Sequence, residues 1–261
     1  MTITESQADI ATPSGPMRIN VVRPSSGPSS GPSSGLSSGP SSARRYPGLI
    51  FLPEIFQRTG PIARMAAFFA GHGLVVAVPE IFHELEPPGT VLAYDKAGTD
   101  RGNAHKLGKP IEAFDADIAA TAAWLVADAG CTGRLGAFGV CVGGHLAFRA
   151  ALHPAVSSSV CAYATDLHKA SLGMRGSDSL QRAREIRGEL AMVWGRQDPH
   201  VPHDGRVAIH QALEETGVSY TWHELNGQHA FMRDEGHRYD PELTALVNRI
   251  ALDLFARTLH D

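Results

Sequence analysis

The chain lacks several features that assign proteins to large functional classes. It has 23 Lys and Arg against 27 Asp and Glu, so its net charge of −4 gives no basic excess for binding nucleic acid. No apolar run reaches the roughly 18 residues that a membrane span needs. Residues 1–17 are polar and acidic, unlike the basic start and apolar stretch of a signal peptide. These absences predict a cytoplasmic protein without a nucleic-acid or membrane partner.

Cysteine is also scarce, with three residues at Cys131, Cys141 and Cys161. An odd number of cysteines without a secretion signal argues against a disulfide framework. No CxxC pair is present, so a structural zinc site is not expected, and we expect no metal or organic cofactor. An isolated cysteine is usually a small buried hydrophobic residue, which is our interpretation of Cys131 and Cys161.

The length of 261 residues and the 43% hydrophobic content predict one α/β domain over residues 1–261. Residues 24–43 repeat Pro-Ser-Ser-Gly and predict a disordered serine-, glycine- and proline-rich loop within that domain. An interdomain linker or a recognition tract is the weaker alternative, because the preceding residues are too few for a domain. We expect the loop to be the enlarged turn of a hairpin between MRINVVRP and PGLIFLP.

From residue 47 onward, short apolar runs alternate with amphipathic segments. Runs such as LIFLP, LVVAVP, GRLGAFG, SSVCAYA and ELAMVWG have the length and composition of buried strands. The segments between them carry apolar residues at helical spacing, and one of these, after residue 111, is expected to end at Gly130. This alternation predicts βαβ units, a mostly parallel sheet and helices on both faces. Ligands of such sheets bind beyond the carboxyl ends of the strands.

One motif at a strand end carries a candidate nucleophile. Gly139-Val140-Cys141-Val142-Gly143 follows the strand GRLGAFG and begins a helix. This is the G-x-S-x-G nucleophile elbow with cysteine in the serine position. The turn exposes one side chain at the sheet edge, and the helix N-terminus favours its thiolate. The alternative is a glycine-rich turn with an incidental cysteine.

Candidate partners of Cys141 follow in the chain order that this kind of site requires. Asp198 comes after the strand ELAMVWG, and His229 comes after VSYTWHEL. His229 would take the thiol proton, and Asp198 would fix the imidazole tautomer and stabilise the imidazolium. Two backbone N–H groups, at Val142 and Ile55, would form the oxyanion hole. Taken alone, Asp198 would be a turn residue and His229 a surface histidine.

Four motifs together resemble the dienelactone hydrolase family: LIFLP followed by Glu54-Ile55-Phe56, then GVCVGG, GRQDPHVP and GQHAFMR. The resemblance runs from about Met17 to the C-terminus, interrupted by the serine-rich insertion. It implies an α/β-hydrolase fold and a cysteine nucleophile that opens a carboxylate-bearing lactone or enol ester through an acyl-enzyme.

The resemblance also implies roles for four side chains. Glu54 would interact with the resting cysteine until a substrate carboxylate displaces it. Arg233, four residues after His229, would bind that carboxylate, since a guanidinium can hold it bidentately. Arg101 is the candidate for a second arginine, in a segment that departs from the family pattern. Tyr163 is a candidate for the pocket lining, and a core or rim position is the alternative.

Two other functions remain open at this point. A broader carboxylesterase or thioesterase would use the same triad, and a non-catalytic binding protein of this fold would need none of it. The expected partner is a small ester or lactone, and the expected assembly is a monomer or a small homo-oligomer.

Overall fold

The protein, as a computed structural model that describes residues 1–25 and 44–260, is built on one eight-stranded sheet. The strands are β1 (Ile3–Thr12), β2 (Gly15–Pro24), β3 (Tyr46–Leu52), β4 (Val75–Pro79), β5 (Cys131–Val140), β6 (Val156–Ala162), β7 (Glu189–Gly195) and β8 (Tyr220–Leu225). Their order in the sheet is β1-β2-β4-β3-β5-β6-β7-β8. Strands β3 to β8 are parallel to one another, and β2 pairs antiparallel with both β1 and β4, which confirms the predicted mostly parallel sheet.

Helices cover both faces of the sheet, as predicted. They are α1 (Gly60–Gly71), α2 (Lys96–Gly108), α3 (Ile111–Ala127), α4 (Val142–Ala150), α5 (His203–Thr216) and α6 (Pro241–Leu259), with a short 3-10 turn at Ala183–Glu185. The buried residues of α1 and α6 belong to one apolar cluster and those of α3, α4 and α5 to the other. Helix α3 ends at Ala127 instead of Gly130, because Asp128 turns the chain by accepting the Gly130 N–H at 2.9 Å.

The predicted hairpin between β2 and β3 is wrong. Strand β4 lies between them in the sheet, and β2 pairs instead with β1, a strand that the sequence did not predict. Most β1 side chains are exposed, so its sequence carries little of the apolar alternation that marks a half-buried strand. The predicted loop at residues 24–43 lies outside the described residues from residue 26 on.

The carboxyl ends of the parallel strands meet at one edge of the sheet, which places three loops side by side there. β5 leads into α4, β7 leads into the loop at Asp198, and β8 leads into the loop at His229. Strands β3 and β6, which flank β5, are buried along almost their whole length. Within residues 1–25 and 44–260, no helix is long and apolar enough to cross a membrane.

Candidate active site

The turn between β5 and α4 holds Cys141 in a conformation that L-residues rarely adopt. Its φ of 60° and ψ of −124° make it the residue that caps α4. A Cβ on Gly139 would lie 1.8 Å from the Gly143 carbonyl oxygen, and a Cβ on Gly143 would lie 2.0 Å from the Leu52 carbonyl oxygen. The backbones therefore approach so closely that both flanking positions require glycine.

Asp198 and His229 form a buried pair beside this turn. The His229 Nδ1 lies 2.7 Å from Asp198 Oδ2, and the other carboxylate oxygen accepts the His200 backbone N–H at 2.8 Å. With Nδ1 as donor, the second ring nitrogen is left for Cys141. His200, for which the sequence suggested no role, packs edge-on against the His229 ring with centroids 4.5 Å apart.

The surroundings of His229 favour its protonated form. Burial alone lowers the pKa of the imidazole, but the neighbouring Cys141 side chain and the Asp198 carboxylate outweigh burial and raise the pKa of His229 to about 10. A protonated His229 can donate a proton to a group bound beside it.

A cavity of about 350 Å³ opens over these groups. Of the residues suggested by the sequence, it is lined by Cys141, His229, Glu54, Ile55 and Arg233. The other lining residues are Phe56, Tyr94, Asp95, Lys96, Thr99, Asn103, Lys106, Thr165, His200, Ala230 and Arg238. The volume suits a small substrate, and the lining mixes apolar surface with charged groups.

Glu54 is buried at one end of the cavity. The Tyr94 hydroxyl donates a short hydrogen bond to its Oε1, and Arg233 Nη1 lies 3.9 Å from its Oε2. Burial raises the pKa of Glu54, and the Tyr94 hydrogen bond and the Arg233 charge oppose that rise. Arg233 also stacks over the Tyr94 ring at 4.3 Å. The Glu54 carboxylate thus contacts Tyr94 and Arg233, and Cys141 lines the same cavity.

Two residues suggested for substrate binding do not line the cavity. Arg101 faces away from it and pairs with the buried Glu86, with Nε 2.5 Å from Oε1. Tyr163 is 1% exposed and packs edge-on against both His229 and Phe231, with centroids 5.2 Å apart in each pair. Arg101 therefore anchors α2, and Tyr163 supports the His229 ring from the core.

Helix α2 forms the cavity wall that the sequence analysis missed. Its mean hydropathy is negative and it contains three glycines, so it has no apolar stripe to reveal it. A Cβ on Gly102 would lie 2.6 Å from the Ile55 carbonyl oxygen, so glycine lets α2 pack closely against the loop that carries Ile55.

The two residues whose N–H groups were predicted to form an oxyanion hole are Ile55, on this loop, and Val142. At Val142, the first residue of α4, the N–H has no partner within the helix.

Two groups of side chains in the described residues have the spacing of metal ligands. In the first, Asp198 and His229 are already hydrogen-bonded to each other beside His200. The second contains His83, Glu84 and Asp117, where the buried Lys109 ammonium occupies the centre by pairing with both carboxylates.

Comparison with known proteins agrees with this geometry. Residues 34–259 match the model of the dienelactone hydrolase family. The chain is 37% identical to a Saccharomyces cerevisiae protein named "Putative carboxymethylenebutenolidase", over 99% of this chain and 93% of that protein. It is 24% identical to the carboxymethylenebutenolidase of Pseudomonas sp. strain P51, over 82% and 85% of the two chains.

Among solved structures, the fold is similar to one described as a "putative dienelactone hydrolase" from Klebsiella pneumoniae. The TM-score is 0.81 at 20% identity, with 98% of this chain and 99% of that chain covered. The chain belongs to the dienelactone hydrolase family and is a hydrolase of carboxylic ester bonds.

Proposed function

We propose that the protein is a cysteine hydrolase that opens a carboxylate-bearing lactone or enol ester through an acyl-enzyme. The observation that carries the proposal is the elbow: Cys141 sits at φ 60° on the N-terminus of α4, and the same cavity holds His229 paired with Asp198. The relatives named as carboxymethylenebutenolidases support this substrate class.

The proposed reaction uses these side chains, two backbone N–H groups and one water molecule. The Cys141 sulfur attacks the carbonyl carbon, and the carbonyl oxygen takes up negative charge beside the N–H groups of Val142 and Ile55. The carbon–oxygen bond to the leaving group then breaks, and His229 gives its proton to the departing oxygen. A water molecule, deprotonated by His229, attacks the thioester and releases the acid and Cys141. Asp198 keeps the imidazole oriented throughout.

Glu54 and Arg233 would make this reaction selective for acids. A substrate carboxylate that binds Arg233 takes over the charge that Glu54 now partly balances at 3.9 Å. The repulsion between the two carboxylates moves Glu54, and a buried carboxyl with a raised pKa readily accepts a proton. Binding of the substrate carboxylate would therefore also move Glu54 and change the surroundings of Cys141.

The decisive experiment is to trap the acyl group. Wild-type enzyme quenched in acid during turnover of an ester should carry a mass adduct on the peptide with Cys141. The Cys141→Ala variant should carry none and should lose at least about 1,000-fold in kcat. Cys131→Ala and Cys161→Ala are the controls and should keep the adduct. A Cys141→Ala enzyme with wild-type turnover would disprove the proposal.

A second experiment separates the acid-selective enzyme from a general carboxylesterase or thioesterase with the same triad. Arg233→Ala should lose roughly 10- to 150-fold in kcat/KM on a substrate with an acidic acyl group, relative to its neutral ester. Glu54→Gln should narrow the wild-type difference between that pair. Equal slowing of both substrates by Arg233→Ala would favour the general esterase, and a screen of lactones, aryl esters and thioesters would then identify its class.

A further inference from the structure

Strand β8 is the last strand of the sheet and has β7 on one side. Its register with β7 is regular, and the Ser219 and Leu225 carbonyl oxygens accept N–H groups from near the two ends of β7, at 2.9 Å and 2.7 Å. Backbone groups alternate in direction along a strand, so those of Tyr220, Trp222 and Glu224 point away from β7. Within residues 1–25 and 44–260, no hydrogen bond joins these outward groups to another segment. The strand therefore has an open edge.

Natural sheets usually protect such an edge with lysine, proline, a bulge or a covering segment. The β8 sequence YTWHEL contains neither lysine nor proline, and its pairing with β7 shows no bulge. The strand is held by its aromatic residues instead, because the Trp222 ring packs against Trp194 at 5.3 Å and against His210 of α5 at 5.0 Å between centroids. β8 is thus an ordered strand whose outward backbone donors and acceptors are ready to pair.

The opposite edge of the sheet is protected by charge. Strand β1 carries Glu5 and Asp9, whose side chains are each 56% exposed. Strand β8 carries one carboxylate, that of Glu224, which lies 3.3 Å from Arg206 Nε of α5. Exposed like charges repel a second strand of the same sequence, so of the two edges β8 is the one that suits a second copy.

A second copy of β8 fits this edge when the two strands run antiparallel about a two-fold axis at Trp222. In that register the outward groups of Trp222 meet those of the same residue in the second copy, and Tyr220 meets Glu224. About six hydrogen bonds would then satisfy all the outward N–H and C=O groups. Glu224 lies across from a tyrosine and not from another carboxylate, so the register brings no like charges face to face.

Helix α5 continues the same surface beside β8. Four of its exposed residues lie in a row at helical spacing: Val207, His210, Gln211 and Glu214. The first three line a groove of about 330 Å³ between α5 and Trp222. Because His210, in the middle of the row, contacts the Trp222 ring, the row is centred on the same point as the strand. A two-fold axis at Trp222 therefore also brings α5 and its copy together in antiparallel orientation over the groove.

We propose that the protein forms a homodimer in which the two sheets join edge to edge through β8. The partner is a second copy of this chain, because the outward backbone groups, the position of Glu224 and the row on α5 all match themselves about one axis. Such a contact closes both open edges, whereas pairing of β8 with β1 of another copy would produce an open-ended chain of molecules. Because β8 leads into the loop at His229, dimerisation also steadies the strand that carries this residue.

Sedimentation of the full chain at micromolar concentrations should show the mass of two chains, and the melting temperature should rise with protein concentration. Glu224→Pro removes one outward N–H from each strand and places a ring at the edge, so the dissociation constant should increase about 10- to 100-fold. Glu224→Gln is the matched control, because it also loses the charge that faces Arg206 but keeps the N–H. It should change the constant by less than about threefold. Circular dichroism should show both variants folded, since the N–H of residue 224 does not face β7.

A disulfide cross-link tests the register without proline. In the proposed pairing, Thr221 lies opposite His223 of the second copy, at a non-hydrogen-bonded position where the Cα atoms are about 4.5 Å apart. A chain with both Thr221→Cys and His223→Cys should therefore form a disulfide-linked dimer on mild oxidation. Thr221→Cys alone should not, because the two copies of that residue are two positions out of register.

A wild-type chain that stays monomeric throughout the micromolar range would overturn the proposal. Equal dissociation constants for Glu224→Pro and Glu224→Gln would also overturn it, since the outward N–H would then play no part in the contact. Cross-linking of the single cysteine variant as readily as the double variant would show that the copies meet in another register or through another surface.

Discussion

Two segments face the same cavity but are held in place by different interactions. One is the elbow with its flanking strand and helix, residues 131–150, and the other is the cavity wall, residues 92–109. All nine residues of α4 are buried, and the elbow depends on backbone approaches that leave no room for a Cβ. In α2 only Gly98 and Gly102 are buried, and charged side chains anchor the helix. The buried Glu86 binds Arg101 and His105, both at 2.5 Å, and Lys109 just beyond the helix binds Glu84 at 2.8 Å.

This difference in interactions determines which positions of the site tolerate substitution. Steric constraints such as those of the elbow tolerate almost no substitution, because close-packed backbones have nowhere to move. The exposed members of these ion pairs, such as Arg101, tolerate substitution at modest cost in stability. The backbone around Cys141 is therefore fixed, whereas the wall is the part of the cavity lining that can change without loss of the fold.

The largest difference between the two regions should appear when a glycine in each is replaced by alanine. Gly143→Ala places a Cβ 2.0 Å from the Leu52 carbonyl oxygen, so we expect no soluble folded protein. Gly108→Ala in α2 is the matched control, because no heavy atom lies within 4 Å of its added Cβ. It should keep or slightly raise the melting temperature. Circular dichroism and thermal melts of both variants would measure this, and a well-folded Gly143→Ala would contradict the steric argument.

The next largest effect is a loss of folding stability at acidic pH, caused by a histidine on the helix that follows the elbow. His145 on α4 is fully buried, with Nδ1 3.0 Å from the Thr165 carbonyl oxygen and Nε2 2.7 Å from the Ser179 hydroxyl, and burial lowers its pKa to about 4. The unfolded chain binds this proton below about pH 6.5 and the folded chain only below about pH 4, so stability falls as the pH falls through that window. The loss attributable to His145 at pH 5 should be about 2 kcal/mol.

Urea unfolding at pH 7 and pH 5 measures this loss. His145→Gln can still donate to Thr165 and accept from Ser179 but does not titrate, so its stability should depend less on pH by about that amount. The same pH dependence in both proteins would show that another group titrates.

The smallest effect should appear in the wall. Glu86→Gln keeps the shape of the side chain but removes the charge that holds Arg101 and His105. Because the carboxylate is buried, we expect amide hydrogen exchange in α2 to accelerate about tenfold, with little change in global unfolding. Asp100→Asn removes the exposed partner of Lys96 on the same helix and should change exchange by less than about twofold. Unchanged exchange in Glu86→Gln would mean that packing, and not charge, holds the wall.

The same contrast explains which parts of the structure the sequence could predict. The strands β3 to β7 and the helices α1 and α3 to α6 follow from apolar periodicity, because each buries a continuous face, whereas α2 does not. The elbow glycines and the positions of Cys141, Asp198 and His229 after the strands β5, β7 and β8 follow from chain order and the parallel topology. Their meeting at one edge of the sheet required no knowledge of side-chain packing.

Charge-dependent features escaped prediction because pairing partners are distant in sequence. Nothing near Arg101 indicates that it binds Glu86 instead of substrate, since fifteen residues and a turn separate the two. Strand β1 escaped because most of its side chains remain exposed at the sheet edge. Tyr163 follows a strand like the site residues, yet its φ of 39° directs it into the core beneath His229.

The distribution of the three thiols makes the protein a convenient standard for counting functional molecules. Cys131 and Cys161 are fully buried and burial raises the pKa of both thiols, whereas Cys141 opens into the cavity. A small alkylating reagent should therefore react once per folded chain and three times per unfolded chain, so the excess over one equivalent gives the unfolded fraction of a preparation and, by difference, its folded fraction. Rates normalised to that fraction, instead of to total protein, would let damaged and intact samples be compared on one scale.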